Sequence, residues 1–380
     1  MWVQRKKMRQ RRDIRLVIGA ALLAVTSVVS CSKIERTPDA GPHEFSIMPH
    51  SEPAVKAVGN EYPENSIFGV FAYNADVSGG TPWTIASPAP VYLKNAAFMY
   101  YVANGLLAAR GWDVESSATG NHKPYYWPLS GSLMFAGYSP FVQTNESGDA
   151  MKDSPIRKVT HSAVNNFNAY FVIDYDVPDD LSVALSTPDL LYFDISSINN
   201  GNTVSKQAEA VDVVFSRALA KITFNVSYTE FDKVSVKLTE CIDKGTFYSG
   251  QRPGWLPDKS TDNSGKLVSI KDYSFTAESV TDNDNRVAGT QYTTSRCIIP
   301  QFTNGWFEEM GTKLGDEMEI VLTISDRIGE ATSYAEVRFN LSDYVPRLEM
   351  GMHYVFNVTV EPKPIQFATP TVSIDLVDVR

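Results

Sequence analysis

The chain has 380 residues, 21% of them charged, and its 34 Lys and Arg against 44 Asp and Glu give a formal net charge of −10. Seven of the basic residues lie ahead of Leu16, so the remainder is more acidic still; no basic surplus is left to displace phosphate counterions, which excludes nucleic acid as a partner. Three cysteines are too few for a disulfide scaffold, and the length predicts two domains, each large enough for its own core.

Arg5, Lys6, Lys7, Arg9, Arg11, Arg12 and Arg15 precede an uncharged run from Leu16 to Ser30, the order of a secretory signal over residues 1–30. As a helix this run would span only about 22 Å, short of the roughly 30 Å hydrocarbon layer. Its end, Val28-Val29-Ser30-Cys31, resembles the bacterial lipobox, which implies cleavage before Cys31 and acylation of that residue. The alternative is an ordinary cleaved signal followed by an incidental Cys. No second apolar run of spanning length follows, so lipid at Cys31 is the expected hold on a membrane.

Residues 31–56 are polar and carry Pro38, Pro42, Pro49 and Pro53, which suits a tether. Within it, His43 to Met48 alternates briefly and predicts a first strand. Short β-branched and aromatic runs then recur: Ile67 to Tyr73, Leu133 to Tyr138, Ala169 to Tyr175, Lys221 to Ser227, Lys233 to Leu238, Met318 to Ser325, Tyr334 to Leu341 and Tyr354 to Val360. A helix is predicted over Lys94 to Arg110, where Phe98, Val102, Leu106 and Leu107 share a helical face and Gly111 follows as a stop. Asn199 to Thr203 is turn chemistry followed by polar residues, and it divides the chain into domains at 57–205 and 206–364, with a tail at 365–380. Mostly β architecture, as two antiparallel β-sandwich domains with a minor helix in the first, is the expectation. Cys241 and Cys297 are either one bridge or two small buried side chains.

Catalytic and cofactor chemistry is not legible. His43, His50, His122, His161 and His353 show no metal-ligand spacing, and no G-x-S-x-G, P-loop, dinucleotide fingerprint or H-E-x-x-H occurs, so no cofactor, metal or catalytic residue is expected. Asp174, Asp176, Asp179 and Asp180 are interrupted by Pro178 and read as a solvated turn. Asp282-Asn283-Asp284-Asn285 starts like a calcium loop, but Val287 stands where Gly is needed and Thr293 where Glu is needed.

Several runs share a resemblance. Ser66 to Asn74 (SIFGVFAYN), Tyr125-Tyr-Trp-Pro-Leu129 and Leu133 to Pro140 (LMFAGYSP) are similar to the "IGVFAY", "YWP" and "FFAYSP" segments of the fimbrillins, the type V pilins of Gram-negative anaerobes of gut and mouth. Asp189-Leu-Leu-Tyr192 resembles the family's "DLL" segment. Val214 to Ile222 resembles "FxHALAKI", with Arg217 where a His is usual; Cys297 to Gln301 resembles "LLIPQ", and Gly351 to Tyr354 the closing "GxxY". The resemblance implies two stacked transthyretin-like sandwiches and a structural, non-enzymatic subunit of surface fimbriae, in adhesion or biofilm formation. Its partners would be other fimbrial subunits and the outer membrane, with a host or bacterial surface ligand unidentified. It also implies an assembly route in which a trypsin-like protease removes the first strand and another subunit's strand fills the groove. Phe45 and Ile47 would then belong to the removable strand, and Lys56, the only basic residue between Arg36 and Lys94, would mark the cut. Cutting at Arg36 would leave the strand in place. Val372, Ile374 and Leu376 alternate in the tail as a donor strand would, or as the last strand of their own sheet. Two further readings are a lipid-anchored glycan-binding or adhesin module, with Trp83, Trp112, Trp255 or Trp306 stacking on sugars, and a secreted hydrolase on a β scaffold.

Overall fold

The computed structural model describes residues 43–51, 62–74, 91–103, 106–115, 122–161, 169–194, 204–205, 209–250, 252–277, 289–307, 312–313, 315–328, 331–361 and 371–377. In chain order the first strands are β1 (Ile47–Ser51), β2 (Ile67–Asn74), β3 (Val91–Ala103), β4 (Leu106–Gly111), β5 (Ser132–Ser139), β6 (Ile156–Thr160) and β7 (Ala169–Asp176). A short helix, α1 (Leu181–Ser186), precedes β8 (Leu191–Phe193), β9 (Val204–Ser205), β10 (Val211–Arg217), β11 (Ala220–Tyr228), β12 (Lys233–Ile242), β13 (Lys244–Gly250) and β14 (Gly254–Pro257). Then come β15 (Ile270–Ser274), β16 (Thr290–Ile298), β17 (Gln301–Phe302), β18 (Trp306–Phe307), β19 (Thr312–Lys313) and β20 (Glu319–Ile328). The series ends with β21 (Ala331–Asn340), β22 (Arg347–Leu348), β23 (His353–Val360) and β24 (Thr371–Val377).

The largest sheet runs β2-β3-β4-β1-β10-β8-β5-β9, and a further β2–β5 pairing brings its far side back to its first strand, so the sheet closes on itself. Closure removes most of the unpaired strand edge that an open sheet would present. Phe45, Phe68, Phe98, Trp127, Phe135 and Phe215 fill the interior. β2 and β5 are buried along almost their whole length because both of their faces are covered. Phe68, Val70 and Ala72 face the closed interior, while Phe71 turns outward and stacks on Phe171 of β7 at 5.4 Å and 10°.

The second core lies among the remaining sheets. β16-β11-β23-β24 and β15-β12-β20-β21 both contribute to it, the first through Ile222, Phe224, Phe356 and Val358, the second through Val234, Val236, Leu238, Ile320 and Leu322. A third sheet, β14-β13-β7-β6, extends the same cluster with Phe171, Ile173, Phe247 and Trp255.

Three expectations change. Lys94 to Arg110 is a β-hairpin, not a helix: β3 and β4 pair antiparallel from Phe98↔Gly111 to Ala103↔Leu106. Between these strands the sequence reads Asn-Gly, the pair that type I′ hairpins favour. The helical spacing of apolar residues was a coincidence overridden by burial on the sheet; the helix found is α1, capped by Asp180, whose carboxylate accepts from Ser182 and Val183 backbone N–H groups. Second, the sheets are not wholly antiparallel: β1 runs parallel to β10 and β11 parallel to β23. In both cases a long stretch of intervening chain supplies the crossover that parallel pairing requires. Third, hydrogen-bonded sheets cross the sequence junction at 205–206. β10 completes the closed sheet of the first half, and β7 pairs with β13 of the second.

Cys241 and Cys297 are free thiols, Cys241 buried and Cys297 partly buried, so of the two readings left open by the sequence the structure realises unbridged side chains; desolvation pushes both thiols up, well above the ordinary range. Arg296 is the largest fully buried side chain. Its guanidinium lies 4.4 Å from the Tyr273 ring centroid and donates to the carbonyls of Pro178, Asp179 and Ser274, the last two at 3.1 and 3.4 Å. It thereby ties the approach to α1 to β15 and β16. Arg296→Ala leaves those carbonyls unpaired and opens a cavity, and is expected to lower unfolding free energy by about 2–4 kcal/mol in urea titration. Arg296→Met, which keeps the stem volume, should recover part of that loss.

Candidate functional site: the first strand and its groove

The segment before Lys56 reaches the body of the protein as a strand that begins ahead of β1. Trp127 N–H donates to His43 O at 2.8 Å and Phe45 N–H to Tyr125 O at 3.0 Å, so residues 43–45 pair with the Tyr-Tyr-Trp segment. The chain then changes partner: Val211 N–H donates to Ser46 O at 2.9 Å, and Ile47 to Ser51 run beside Val211 to Phe215. On its other side β1 meets β4 at one register pair, Ile47↔Ala109.

Alternation decides what this strand buries. Phe45, Ile47 and Pro49 point inward and are buried, whereas His50 is exposed. Phe45 sits among Phe98, Trp127 and Phe135, with ring centroids 5.8, 5.5 and 5.3 Å away. Burial of side chains this size stabilises by about 1.5–3 kcal/mol each. The ladder is one-sided: all five residues pair with β10, whereas the β4 side meets at one position and Pro49 has no N–H to donate. The outward face adds two contacts to imidazoles: Glu44 Oε1 lies 2.5 Å from His122 Nε2, and Asp212 Oδ1 lies 3.3 Å from His50 Nε2. β1 is therefore held chiefly by side chains in apolar pockets.

Just past residue 56 the chain is fastened again. Tyr62 stacks on Phe215 at 4.8 Å and donates to Ser139 Oγ at 2.5 Å, and burial pushes its hydroxyl up to about 12. Loss of everything before Lys56 would leave this clamp in place.

Of the sequence-derived site residues, Cys31 and Lys56 lie outside the described residues. Val372, Ile374 and Leu376 belong to β24, which runs antiparallel along β23 with Val372↔Val358, Ile374↔Phe356 and Leu376↔Tyr354. In the monomer the tail thus completes its own sheet as an edge strand. The sequence reading missed β10 as one wall of the groove, although Val211 and Val213 alternate with Asp212 in the pattern of a half-buried strand. Arg217 pairs with Asp189, so the residue standing in the family's His position is anchored by the Asp of the "DLL" segment. His353 is a packing residue: Thr223 Oγ1 lies 2.7 Å from its Nε2, and burial, then Lys221 and Arg217, lower its pKa. The acidic turn is consumed internally, Asp174 accepting from Thr246, Asp176 pairing with Arg157, Asp179 with Lys271 and Asp180 capping α1. Among the described residues no group of three or more His, Cys, Asp and Glu side chains could hold a metal, and no helix is long and apolar enough to cross a membrane. Asp282 to Asn285 and Trp83 lie outside the described residues.

A mostly-β chain whose first strand closes an aromatic-filled sheet defines a class of β-sandwich protein, and the comparisons name its family. A family model described as fimbrillin-like matches residues 56–374. The chain belongs to the fimbrillin-like family. Among curated proteins none matches it. Among solved structures, a candidate cell adhesion protein from Bacteroides ovatus aligns at 17% identity and a TM-score of 0.50, covering 89% of this chain and 98% of that one. A candidate cell adhesion protein from Bacteroides uniformis aligns at 12% identity and 0.49, covering 90% and 100%. The tip fimbrial protein Mfa3 of Porphyromonas gingivalis, with C-terminal truncation, aligns at 10% and 0.41, covering 88% and 100%.

The groove analysis makes a graded prediction. Phe45→Ala should cost about 3–5 kcal/mol and Ile47→Ala about 2–5 kcal/mol in urea titration, while His50→Ala, on the outer face, should stay within about 0.5 kcal/mol. Equal effects at all three positions would mean that β1 is held by its ladder and not by its pockets.

Proposed function

We propose that this chain is a structural, non-catalytic subunit of surface fimbriae, exported as a lipoprotein through Cys31 to the outer membrane and assembled with other subunits by strand exchange, in adhesion or biofilm formation. The observation that carries this reading is the strand from Phe45 through β1, which completes a closed sheet by burying Phe45 and Ile47 and meets β4 at a single register pair. Family membership and the adhesion and fimbrial names of the similar structures support it.

Cleavage after Lys56 would free the segment that contains β1 and open a groove between β4 and β10. An open groove exposes aromatic surface and unpaired backbone groups; a donated strand satisfies both. Val372, Ile374 and Leu376 of a second copy repeat the every-second-residue spacing of Phe45, Ile47 and Pro49, and the tail has an N–H at each of those positions. β24 stands at an edge, so its release breaks one ladder, that with β23. The second reading, an anchored adhesin that does not polymerise, separates from the first by assembly alone.

Three measurements check the proposal. Cys31→Ala should abolish incorporation of labelled fatty acid and move the protein out of the membrane fraction. Limited trypsin digestion should cut at Lys56 ahead of other Lys and Arg, after which size-exclusion should show polymers; assembled subunits that begin at Cys31 would favour the non-exchanging adhesin. Ile374→Asp combined with Leu376→Asp places charges whose desolvation costs several kcal/mol in an apolar groove. It should block polymers while circular dichroism and the melting curve show a folded monomer, and normal polymers would remove the tail as donor.

A further inference from the structure

A cavity of about 350 Å³ lies on the other core's surface, between β13–β14 and the two-residue ladder of β17 with β22. That ladder pairs Phe302 directly with Arg347, and the guanidinium carbon sits 4.7 Å from the Phe302 ring centroid. The pair is anchored from below: Gln301 accepts from Ile242 N–H at 2.8 Å and donates to Glu240 O at 2.9 Å, so Gln301 is spent on structure. Trp255 forms the floor, buried, with its indole N–H donated to Ala218 O at 2.6 Å.

Trp306 stands at the mouth and is 41% exposed. It is fixed there by its turn. Asn304 Oδ1 accepts from Trp306 N–H at 3.1 Å, and Gly305, at φ +74, packs so tightly that a Cβ would lie 2.1 Å from Gly315 O. An indole left partly exposed on a turn held in this way offers an apolar face for stacking, since large aromatic side chains gain most when covered. Beside it Arg347 brings planar N–H donors and the exposed Glu349 brings carboxylate acceptors.

We infer that this cavity is a binding site for a neutral saccharide. The C–H face of a pyranose ring is flat and apolar and would cover the Trp306 indole, while vicinal hydroxyls, each a donor and an acceptor, would meet Arg347 and Glu349 on one rim. An acidic glycan would bring charge to Glu349 in a chain whose formal net charge is already −10. A proline-rich peptide needs an extended aromatic groove, whereas this site is bounded and falls at the small-ligand end of the pocket range, about 300–1,000 Å³. The inference deepens the adhesive reading above and rests on it for its biological sense: one such site binds weakly, and repetition along a fibre multiplies avidity without new contacts.

The test uses the purified full chain as a monomer. Malto-, cello- and manno-oligosaccharides, polygalacturonate and a decaproline peptide are titrated against tryptophan fluorescence and by calorimetry. One neutral series should bind saturably. Trp306→Ala and, separately, Arg347→Met should weaken it by about tenfold or more, with Trp306→Phe retaining part and Trp112→Phe retaining all; circular dichroism confirms that each variant is folded. Binding by polygalacturonate or decaproline alone, binding unchanged in both Trp306→Ala and Arg347→Met, or no binding of any neutral series overturns the site. Polymer formation is followed in parallel. Normal polymers without saccharide binding would remove the site and leave the fimbrial reading, whereas saccharide binding by a chain that never assembles would remove the reading and leave the site.

Discussion

Closure of the first sheet is the constraint from which the rest of the molecule follows. A strand from residues 47–51 must lie between β4 and β10, and β10 comes about 160 residues later in the chain, so the first sheet cannot finish until the polypeptide has passed through β6, β7 and α1 and returned. Long-range pairing of this kind pays its loop-closure entropy before any contact rewards it. The aromatic interior is what makes such a closure favourable, since Phe45 just ahead of β1 and Phe215 on β10 pack among rings from β2, β3 and β5. A strand that arrives by side-chain insertion can also be exchanged by side-chain insertion, which is why one feature serves both folding and the proposed assembly.

The same chain return binds the two cores together. β2 and β5 present one face to the closed interior and the other to β7, so the Phe71 and Phe171 stack is a joint between sheets rather than a feature of either. β7 in turn pairs with β13, and Arg296 on β16 holds the loop that follows β7. A substitution at any of these points is transmitted to both cores, since close-packed interiors pass strain on rather than absorb it.

Much of this was legible in the sequence. The eight runs chosen for alternation and β-branched content all fall on strands, with only Met318 and Leu341 outside them, because a half-buried strand writes its period directly into the side chains. Lys94 to Arg110 misled because Ala96, Ala97, Ala103, Ala108 and Ala109 are good helix formers and Phe98, Val102 and Leu106 fall at helical spacing, while the Asn-Gly pair in the sequence between them carried the contrary signal. The junction near residue 205 was visible as turn chemistry, but chemistry of that kind marks where a strand ends and not which sheet the next strand joins. β10 therefore read as the start of a second domain although its partners are β1 and β8. Phe45 and Ile47 were legible as a strand; Pro49 as its third buried residue was not, since Pro ordinarily argues against a strand. The Phe302 and Arg347 pair was beyond reach, as two-residue ladders have no period.

Edge protection supplies the last step. Two of the three four-stranded sheets around the second core end in β16 and β24 and in β15 and β21. β21 carries Glu336 and Arg338, which pair with each other and with Glu319. β15 carries Lys271 and Asp272, bound to Asp179 and Lys237. β16 presents Thr290, Gln291 and Thr293, whose hydroxyls and amide favour water. Each of these is blunted in the manner that keeps natural sheets from pairing with strangers. β24 differs in composition: between Thr371 and Val377 its one charge is Asp375, and four of its seven residues are Val, Ile or Leu. An edge of apolar composition beside three charged or polar ones is the edge that the proposed exchange would draw on, and the asymmetry would make that exchange directional, with one strand to leave and one closed sheet to be reopened.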